Sequence, residues 1–322
     1  MSQPTRGDVH VNRPLTNISI AYIQQSSDFV ASQVFPSVPV AKQGDRYFEY
    51  DRKQWYRTNA RKRAPASESA GGGFAISNTS SYFADVFAIH KDVDDQTRAN
   101  ADQPIDLDRD SSRWVTQQLL LKKEKEFVST YYQTGTWTGS STGSDIVPGT
   151  KWDAAGSDPV DDIDAQKQAV KEKTGFMPNI MVVSPDTHRA LKNNASILDR
   201  YKHTQVGILT EQLLAQAFGV SKYLVAYATE DEAEEGQSAS MDFVFGSGQA
   251  LLVHAAQSPS ILTPSAGYTF SWTGLFGAGR EGMCIKRFRI EKEASDRIEG
   301  EMAWDMKLIA ADLGVFFNTV LT

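Results

Sequence analysis

Residues 29–51 read FVASQVFPSVPVAKQGDRYFEYD, and this stretch decides the fold. The apolar spacing predicts a short helix over Asp28–Val34, after which Pro36 and Pro39 hold the backbone extended because each ring fixes φ. The next run, RYFEYDRKQWY at 46–56, is typical of a strand because aromatic residues favour the pleated conformation. Its aromatic residues are Tyr47, Phe48, Tyr50, Trp55 and Tyr56.

The return run is FAISNTSSYFADVFAI at 74–89, and the residues between the two runs, 57–73, are polar, basic at first and then glycine-rich. Loops of this length without structure are uncommon inside compact domains. A two-stranded hairpin is marginally stable alone in water, and exposed aromatic residues need a covering surface. The sequence therefore predicts a long hairpin arm with a loose basic tip, covered either by its own chain or by a neighbouring copy.

Upstream, the polar residues 1–15 predict an extended arm, and residues 16–23 predict a short helix with Thr16 or Asn17 as its N-cap. Residues 1–63 carry ten Lys or Arg against five Asp or Glu, or +5, so the net charge of −7 leaves −12 for the remainder. A nucleic-acid-binding domain is usually basic overall. This asymmetry favours head-to-tail contacts between copies of the chain.

Downstream, Asp106–Gln133 predicts a helix about 40 Å long with carboxylates at its N-terminus, where the helix dipole favours them. Lys122, Lys123 and Lys125 are expected mostly on the face opposite the apolar one. Residues 178–282 alternate between helix and strand patterns and predict a mixed α/β domain. Arg297–Ala310 alternates with period two and predicts a strand of about 45 Å paired with Ile285–Lys292. Together these elements predict an elongated, plate-like subunit.

The motifs that could carry chemistry have weak support. Gly277-x-Gly279-x-x-Gly282 matches a dinucleotide fingerprint, but strand-like residues follow it where the fingerprint requires a helix. A cytosolic enzyme that binds a nucleotide at this turn stays open as a minor alternative. Ser184, Asp186 and His188 are residue types of a catalytic triad, but their spacing favours the first turn of a helix, with Ser184 as N-cap.

Metal chemistry has equally little support. Asp106, Asp108 and Asp110 begin like a calcium loop, but Ser111 and Gln117 stand where Gly and Glu are required. The histidines are scattered, and the single cysteine, Cys284, excludes an intramolecular disulfide and a cysteine zinc site. We therefore predict no catalytic residue, no metal and no cofactor. Neither a membrane span nor a secretory signal is visible, which predicts a soluble protein from a reducing compartment.

The basic tip of the hairpin has three interpretations. Its cations, Arg57, Arg61, Lys62 and Arg63, stand beside Trp55 and Tyr56, a combination that can bind single-stranded nucleic acid. The tip can also be a solvated loop, or it can pair with an acidic patch on the next subunit. The third interpretation is favoured because the monomer cannot easily cover such an arm.

Residues 17–56 resemble the N-terminal region of major capsid proteins from tailed double-stranded DNA bacteriophages, most specifically over 29–56. The order of the later elements agrees with the α+β coat fold of that family, the Hong Kong ninety-seven fold, which encapsulins share. The resemblance implies an N-arm, an extended β-hairpin loop, a long spine helix, a peripheral domain with a long β-ladder and an α/β axial domain. The implied bounds are N-arm 1–42, extended loop 43–89, peripheral domain 90–177 with spine helix 106–133, axial domain 178–282 and peripheral ladder 283–322.

The resemblance implies self-assembly of pentamers and hexamers into an icosahedral shell, built in the host bacterial cytoplasm and found in the virion around double-stranded DNA held by weak non-specific contacts. Scaffolding, portal and decoration proteins are further implied partners, and no membrane is involved. The polar start of the chain argues against proteolytic maturation, and no motif for a covalent cross-link is seen. An encapsulin-like compartment is the main alternative. The expected inter-subunit residues are Phe35, Tyr47, Phe48, Tyr50, Trp55, Tyr56, Arg57, Arg61, Lys62 and Arg63.

Overall fold

The computed structural model describes residues 24–50, 52–101, 105–201, 209–259, 263–274 and 281–322. The predicted arm at 1–15, the predicted helix at 16–23 and the glycines Gly277 and Gly279 lie outside these ranges. Helices and strands alternate irregularly, and the strands form mostly antiparallel sheets. The predicted α+β class is confirmed.

Residues 26–40, here called the plug, pack into the core. A 3-10 helix at Ser26–Asp28 leads to helix α1 (Ala31–Val34), and the proline-rich residues continue as strand β1 (Ser37–Val40). The predicted helix and extended connection are thus confirmed. Phe35 is fully buried, with its ring centroid 5.3 Å from that of Phe127 and 4.8 Å from that of Tyr131. The side chain of Phe35 therefore serves the core of its own chain, which differs from the predicted contact with a neighbour.

The extended loop is a hairpin in short pieces. Strand β2 (Gly44–Arg46) pairs antiparallel with β5 (Ser81–Phe83), and β3 (Glu49–Tyr50) pairs with β4 (Ile76–Ser77). The prediction of one strand over 46–56 is wrong beyond Tyr50, because Arg52–Trp55 forms a single helical turn, α2. The residues Arg-Lys-Gln-Trp lack period-two alternation and so have no face to bury in a sheet. Residues 57–73 contain neither helix nor strand.

The spine helix is α4 (Leu107–Tyr131), preceded by the short α3 (Asp95–Asn100). Asp106 caps α4, because its side chain accepts a hydrogen bond of 3.1 Å from the amide of Arg109. The prediction that Lys123 lies on the outer face of this helix is wrong. Both Lys123 and Glu124 are buried, with 2% and 1% of their surfaces exposed, and both contact α1.

The predicted long ladder is confirmed. Its central strand, β14 (Ser295–Leu308), pairs antiparallel with β6 (Asp85–Asp94), β13 (Met283–Ile290) and β12 (Gly267–Trp272), and β1 joins β12 in parallel. Gly300 in β14 lies against Val115 and Leu119 of α4, where a β-carbon would collide with Val115. The spine helix therefore packs directly on the middle of the ladder.

A second sheet has the strand order β15 (Gly314–Phe317), β11 (Ala250–Val253), β7 (Ile180–Val183) and β8 (Lys222–Val225). The other elements of this region are α5 (Pro159–Thr174), α6 (Pro185–Lys192), α7 (Ala195–Tyr201), α8 (Glu211–Ala217) and the hairpin β9 (Thr229–Asp231) and β10 (Met241–Phe243). Because β15 pairs with β11, the segment predicted as peripheral at 283–322 divides between the two sheets.

Replacing Gly267 with alanine should destabilise the isolated subunit by about 1–3 kcal/mol, because it overpacks the core. A β-carbon there would lie 2.5 Å from the ring of the fully buried Phe35. Gly149→Ala is the control, since nothing lies within 4 Å of its β-carbon position. Chemical denaturation of unassembled subunits measures both variants. Equal stability of the two would contradict the close packing of Phe35.

Candidate assembly surface

The extended loop carries an exposed aromatic cluster, here called the knob, made of Tyr50, Trp55 and Phe74. The ring of Trp55 lies 6.1 Å from that of Tyr50 and 5.4 Å from that of Phe74, measured between centroids. Trp55 is 55% exposed and Phe74 is 56% exposed. Clustered exposed aromatic residues mark protein–protein contact surfaces, because their burial contributes strongly to association.

The basic tip follows the knob directly. Arg57, Arg61, Lys62 and Arg63 are all exposed. Arg63 donates a hydrogen bond of 2.5 Å from Nε to the carbonyl of Ser67, which orders the start of the glycine-rich return. The tip therefore presents positive charge beside the apolar knob.

The base of the loop is held by its own chain. Tyr47 and Tyr82 both stack on Phe270 of β12, with centroid distances of 5.4 Å and 4.5 Å, and burial raises the pKa of both tyrosines. Tyr56, although largely exposed, donates a hydrogen bond of 2.8 Å to the carbonyl of Thr174 at the end of α5. These contacts hold both the root of the arm and the residue next to the knob on the same chain, while the side chains of Trp55 and Phe74 stay more than half exposed.

Of the sequence-predicted residues, the structure brings Tyr50 and Trp55 together and leaves Phe48 exposed apart from them. It also adds exposed apolar residues from the return run, namely Phe74, Ile76 and Phe83. Their signal was present in the sequence, because an aromatic strand paired with an aromatic return places side chains from both on one surface.

A buried clamp joins the spine helix to the plug. The Glu124 carboxylate accepts hydrogen bonds of 2.8 Å and 3.0 Å from the amides of Val30 and Ala31, while Lys123 Nζ donates one of 2.8 Å to Ser32 Oγ. Burial raises the pKa of Glu124 to about 7 and lowers the pKa of Lys123. The clamp thus holds α1 on the spine helix, just before the chain continues into β1 and the extended loop.

The tip of the ladder holds a network of three arginines and three aspartates. Arg98 lies 2.8 Å from Asp108 and 2.9 Å from Asp296, and Arg287 also pairs with Asp296 at 2.7 Å. Arg289 adds Asp95 to the network. The arginines lower the pKa of Asp296, chiefly through the hydrogen bond from Arg287, and of Asp95, chiefly through that from Arg289.

Acid should weaken the subunit through this network. A carboxylate whose pKa is lowered by folding contributes stability above its unfolded pKa, about 3.9, and that contribution is lost as pH falls through the folded value. The thermal midpoint of the wild type should therefore fall between about pH 5 and pH 2, and that of Asp296→Asn should fall less. Asp161→Asn, an exposed carboxylate on α5, should keep the wild-type slope. Parallel slopes for Asp296→Asn and the wild type would contradict this role.

The triad-like residues do not assemble a catalytic site. Ser184 occupies the N-cap position of α6, but its hydroxyl shares a hydrogen bond of 2.9 Å with Thr187 Oγ1 instead of capping a backbone amide. His188 Nδ1 contacts the hydroxyl of Tyr223 at 3.0 Å, and burial lowers the pKa of this histidine. Within the described ranges, no group of three or more His, Cys, Asp or Glu side chains is placed to hold a metal ion.

The helices of the described residues were also compared with the requirements of a membrane span. None of them combines the length and the hydrophobicity needed to cross a bilayer.

Comparison with known proteins agrees with this architecture. A family model described as phage major capsid protein E matches residues 141–262. The major capsid protein of Burkholderia phage BcepMu is 23% identical over 314 residues, covering 96% of each chain. That of Pseudomonas phage JBD67 is 24% identical over 320 residues, covering 97% of each chain.

Solved structures share the fold at low identity. A phage-related protein from Bordetella bronchiseptica RB50 superposes with a TM-score of 0.70 at 20% identity, covering 92% of this chain and 93% of that one. The mature capsid of bacteriophage PhiM1 gives 0.55 at 12% identity, covering 94% and 89%. The SrpI encapsulin of Synechococcus elongatus PCC 7942 gives 0.56 at 13% identity, covering 96% and 95%. With a long ladder, a spine helix and a projecting loop in the order that the coat fold requires, this chain has the fold of phage capsid subunits and is similar over nearly its whole length to two phage major capsid proteins.

Proposed function

We propose that this chain is a phage major capsid protein whose copies build a closed icosahedral shell of pentamers and hexamers, in which the extended loop and the N-arm of each subunit lie across neighbouring subunits. The observation that carries the proposal is the knob, whose Trp55 and Phe74 stay more than half exposed at the end of a limb. Permanent assemblies cover such surfaces, and their interfaces commonly exceed about 2,000 Å². The role is structural, and no catalytic step is proposed.

The shell is proposed to enclose double-stranded DNA in the virion, after assembly in the host bacterial cytoplasm. The acidic balance of the chain, −7 overall, supports weak and non-specific contact with the packaged DNA, because like charges repel. Scaffolding, portal and decoration proteins are proposed as additional partners on the strength of the family resemblance alone.

Electron microscopy of the expressed chain tests the assembly. Closed shells built from pentamers and hexamers are the expected product. A monodisperse small species in sedimentation, with both limbs folded back on one body, would refute the proposal.

The encapsulin likeness supports a second candidate, a compartment that holds protein cargo. The contents of particles purified from producing cells separate the two functions. Nuclease-protected DNA inside the particles supports the capsid, and an enclosed enzyme supports the compartment.

A further inference from the structure

The extended loop touches the body of its own subunit a second time, beyond its root. Tyr56 is 61% exposed, yet its hydroxyl donates a hydrogen bond of 2.8 Å to the carbonyl of Thr174 at the end of α5. A β-carbon on the next residue, Gly175, would lie 2.2 Å from that hydroxyl and 2.8 Å from two carbons of the ring. The Tyr56 ring therefore lies directly on the glycine, and we call Thr174 and Gly175 the seat.

The seat has the two features that a tyrosine needs. The last carbonyls of a helix have no partner within the helix, so the carbonyl of Thr174 is an available acceptor. Gly175 ends α5 in the left-handed conformation, with a φ of 81°, which favours glycine and leaves open the space that a β-carbon would fill. The end of the helix thus creates a small surface that the phenol ring covers.

The seat belongs to the rigid part of the subunit. Thr174 is 3% exposed, and its hydroxyl donates a hydrogen bond of 2.7 Å to the carbonyl of Val170, one turn earlier. Val170 and Ile163 are fully buried in the same apolar cluster as Met181 of β7. A side chain that lies on the seat is therefore held by the core of the second sheet.

The knob adjoins the seated residue in the chain. The side chain of Gln54 accepts a hydrogen bond from the amide of Ala75, and Trp55 packs on Phe74, so α2 is fixed to the return run. Tyr56 follows directly and fixes the same turn to the body. With Tyr56 on the seat, Trp55 and Phe74 are still more than half exposed. The seat therefore presents the knob instead of covering it.

The rest of the loop gives the knob little support. Beyond Tyr47, the described residues of the loop pair only over β3 and β4, which have two residues each, and residues 57–73 contain neither helix nor strand. A two-stranded hairpin is marginally stable in water. Ordering such a loop during association subtracts from the affinity, and a contact that orders it beforehand removes that cost.

We propose that Tyr56 and Gly175 are positioning residues for assembly, and that the seat holds the loop on its own subunit so that the knob meets a neighbouring subunit already oriented. This inference rests on the proposed shell assembly and gives the end of α5 a role in it. Subunits with an unseated loop are not competent to bind, so the apparent affinity falls in proportion to the seated fraction. Each subunit brings one loop, and the critical concentration for assembly therefore rises by the same factor.

Gly175→Ala tests the seat directly. The added methyl group takes the position of the Tyr56 hydroxyl, so the variant should raise the critical subunit concentration about tenfold or more. Gly156→Ala is the matched control, because Gly156 has a φ of 82° and no described atom lies within 4 Å of its β-carbon position. It carries the same backbone strain and should stay within about twofold of the wild type. Light scattering over a series of subunit concentrations measures all three proteins.

Tyr56→Phe separates the hydrogen bond from the ring. It removes the hydroxyl that bonds to Thr174 and keeps the aromatic surface, so the critical concentration should rise by about threefold, the usual effect of one hydrogen bond. A value equal to that of the wild type would show that the hydrogen bond does not position the loop.

A spin label measures the seated fraction itself. In a Cys284→Ser background, which removes the single native cysteine, Thr58→Cys places a nitroxide two residues beyond Tyr56. Spectra of unassembled subunits should show a slowly tumbling fraction that falls in Gly175→Ala and is unchanged in Gly156→Ala. The fall should match the rise in critical concentration, a proportion that a merely structural role of Gly175 would not produce.

The outcomes separate this inference from the proposed function. Wild-type shells together with equal critical concentrations for Gly175→Ala and Gly156→Ala would overturn the inference alone. Assembly of Gly175→Ala at a lower concentration than the wild type would also overturn it, because the seat would then restrain the loop. Absence of wild-type shells at every concentration would contradict the proposed function, on which the inference rests.

Discussion

Subunits in which Trp55 and Tyr56 are both serine are expected to fold as the wild type does and to remain unassembled. The two side chains are 55% and 61% exposed, so their replacement removes little from the core of the isolated chain. In an assembly they become buried anchors, and aromatic anchors commonly contribute about 2 kcal/mol or more each. Losing both anchors, about 4 kcal/mol, is roughly a thousandfold loss in the affinity of every contact. A closed shell repeats the contact many times, so the loss should abolish shells at ordinary concentrations.

Three measurements define the outcome. Circular dichroism and denaturation should match the wild type, sedimentation should show a small species, and microscopy should show no shells. Deleting residues 57–73 should have the same effect, because it removes the basic tip. Thr58→Ala with Asn59→Ala is the control, since it changes exposed polar residues of the same tip and should assemble normally. Normal particles from the double serine variant would refute the role of the arm.

The sequence predicted the elements whose pattern is local. Pro36 and Pro39 set the extended connection, Asp106 marked the start of the spine helix, and the period-two pattern from Arg297 marked the long strand. In each case the signal comes from backbone restriction or side-chain periodicity within a few residues, which tertiary contacts rarely override. The fold class and the order of its parts followed from these signals and from the family resemblance.

The interior positions of charged residues could not be predicted in this way. Lys123 looks like an outer-face residue of an amphipathic helix, and only the return of α1 onto that face supplies partners for it. The pairing of β15 with β11 joins residues more than sixty positions apart, which no local pattern encodes. For the assembly surface, the aromatic run located the loop, but the packing of Trp55 against Phe74 of the return run forms only in three dimensions.

Replacing Glu124 with alanine is expected to cost about 2–6 kcal/mol of subunit stability, because each of two buried amide donors left without an acceptor costs about 1–3 kcal/mol. The change leaves the amides of Val30 and Ala31 without their acceptor and removes one of the carboxylates that favour the charged form of Lys123. Chemical denaturation of unassembled subunits measures the loss. Glu172→Ala on the exposed face of α5 is the control and should change stability by no more than about 0.5 kcal/mol.

The conservative variant Glu124→Gln separates charge from shape. Burial holds the pKa of Glu124 at about 7, above its ordinary value of 4.5, so folding favours the protonated form. The raised pKa therefore adds to the free energy of unfolding below pH 4.5, and this addition is lost as pH rises through 7. The loss is about 3 kcal/mol at most. The neutral amide has nearly the shape of the protonated acid and cannot titrate, but its NH₂ group cannot accept one of the two bonds from Val30 and Ala31, so a pH-independent loss is expected as well. The stability deficit of Glu124→Gln relative to the wild type should therefore be largest near pH 5 and should shrink toward pH 8.

Lys123 belongs to the same buried clamp, and its titration affects stability with the opposite sign. Burial lowers its pKa, with Glu281, Glu124 and Glu126 opposing the shift, so its neutral form is favoured by folding and stability rises with pH on its account. Lys123→Met removes that contribution, so the stability of this variant should rise less than that of the wild type as pH increases toward 10.5, the ordinary pKa of lysine. The loss of stability caused by Glu124→Gln is measured from pH 5 to pH 8, in the wild type and in Lys123→Met. If that loss is constant over this range in both backgrounds, Glu124 holds the plug by shape alone.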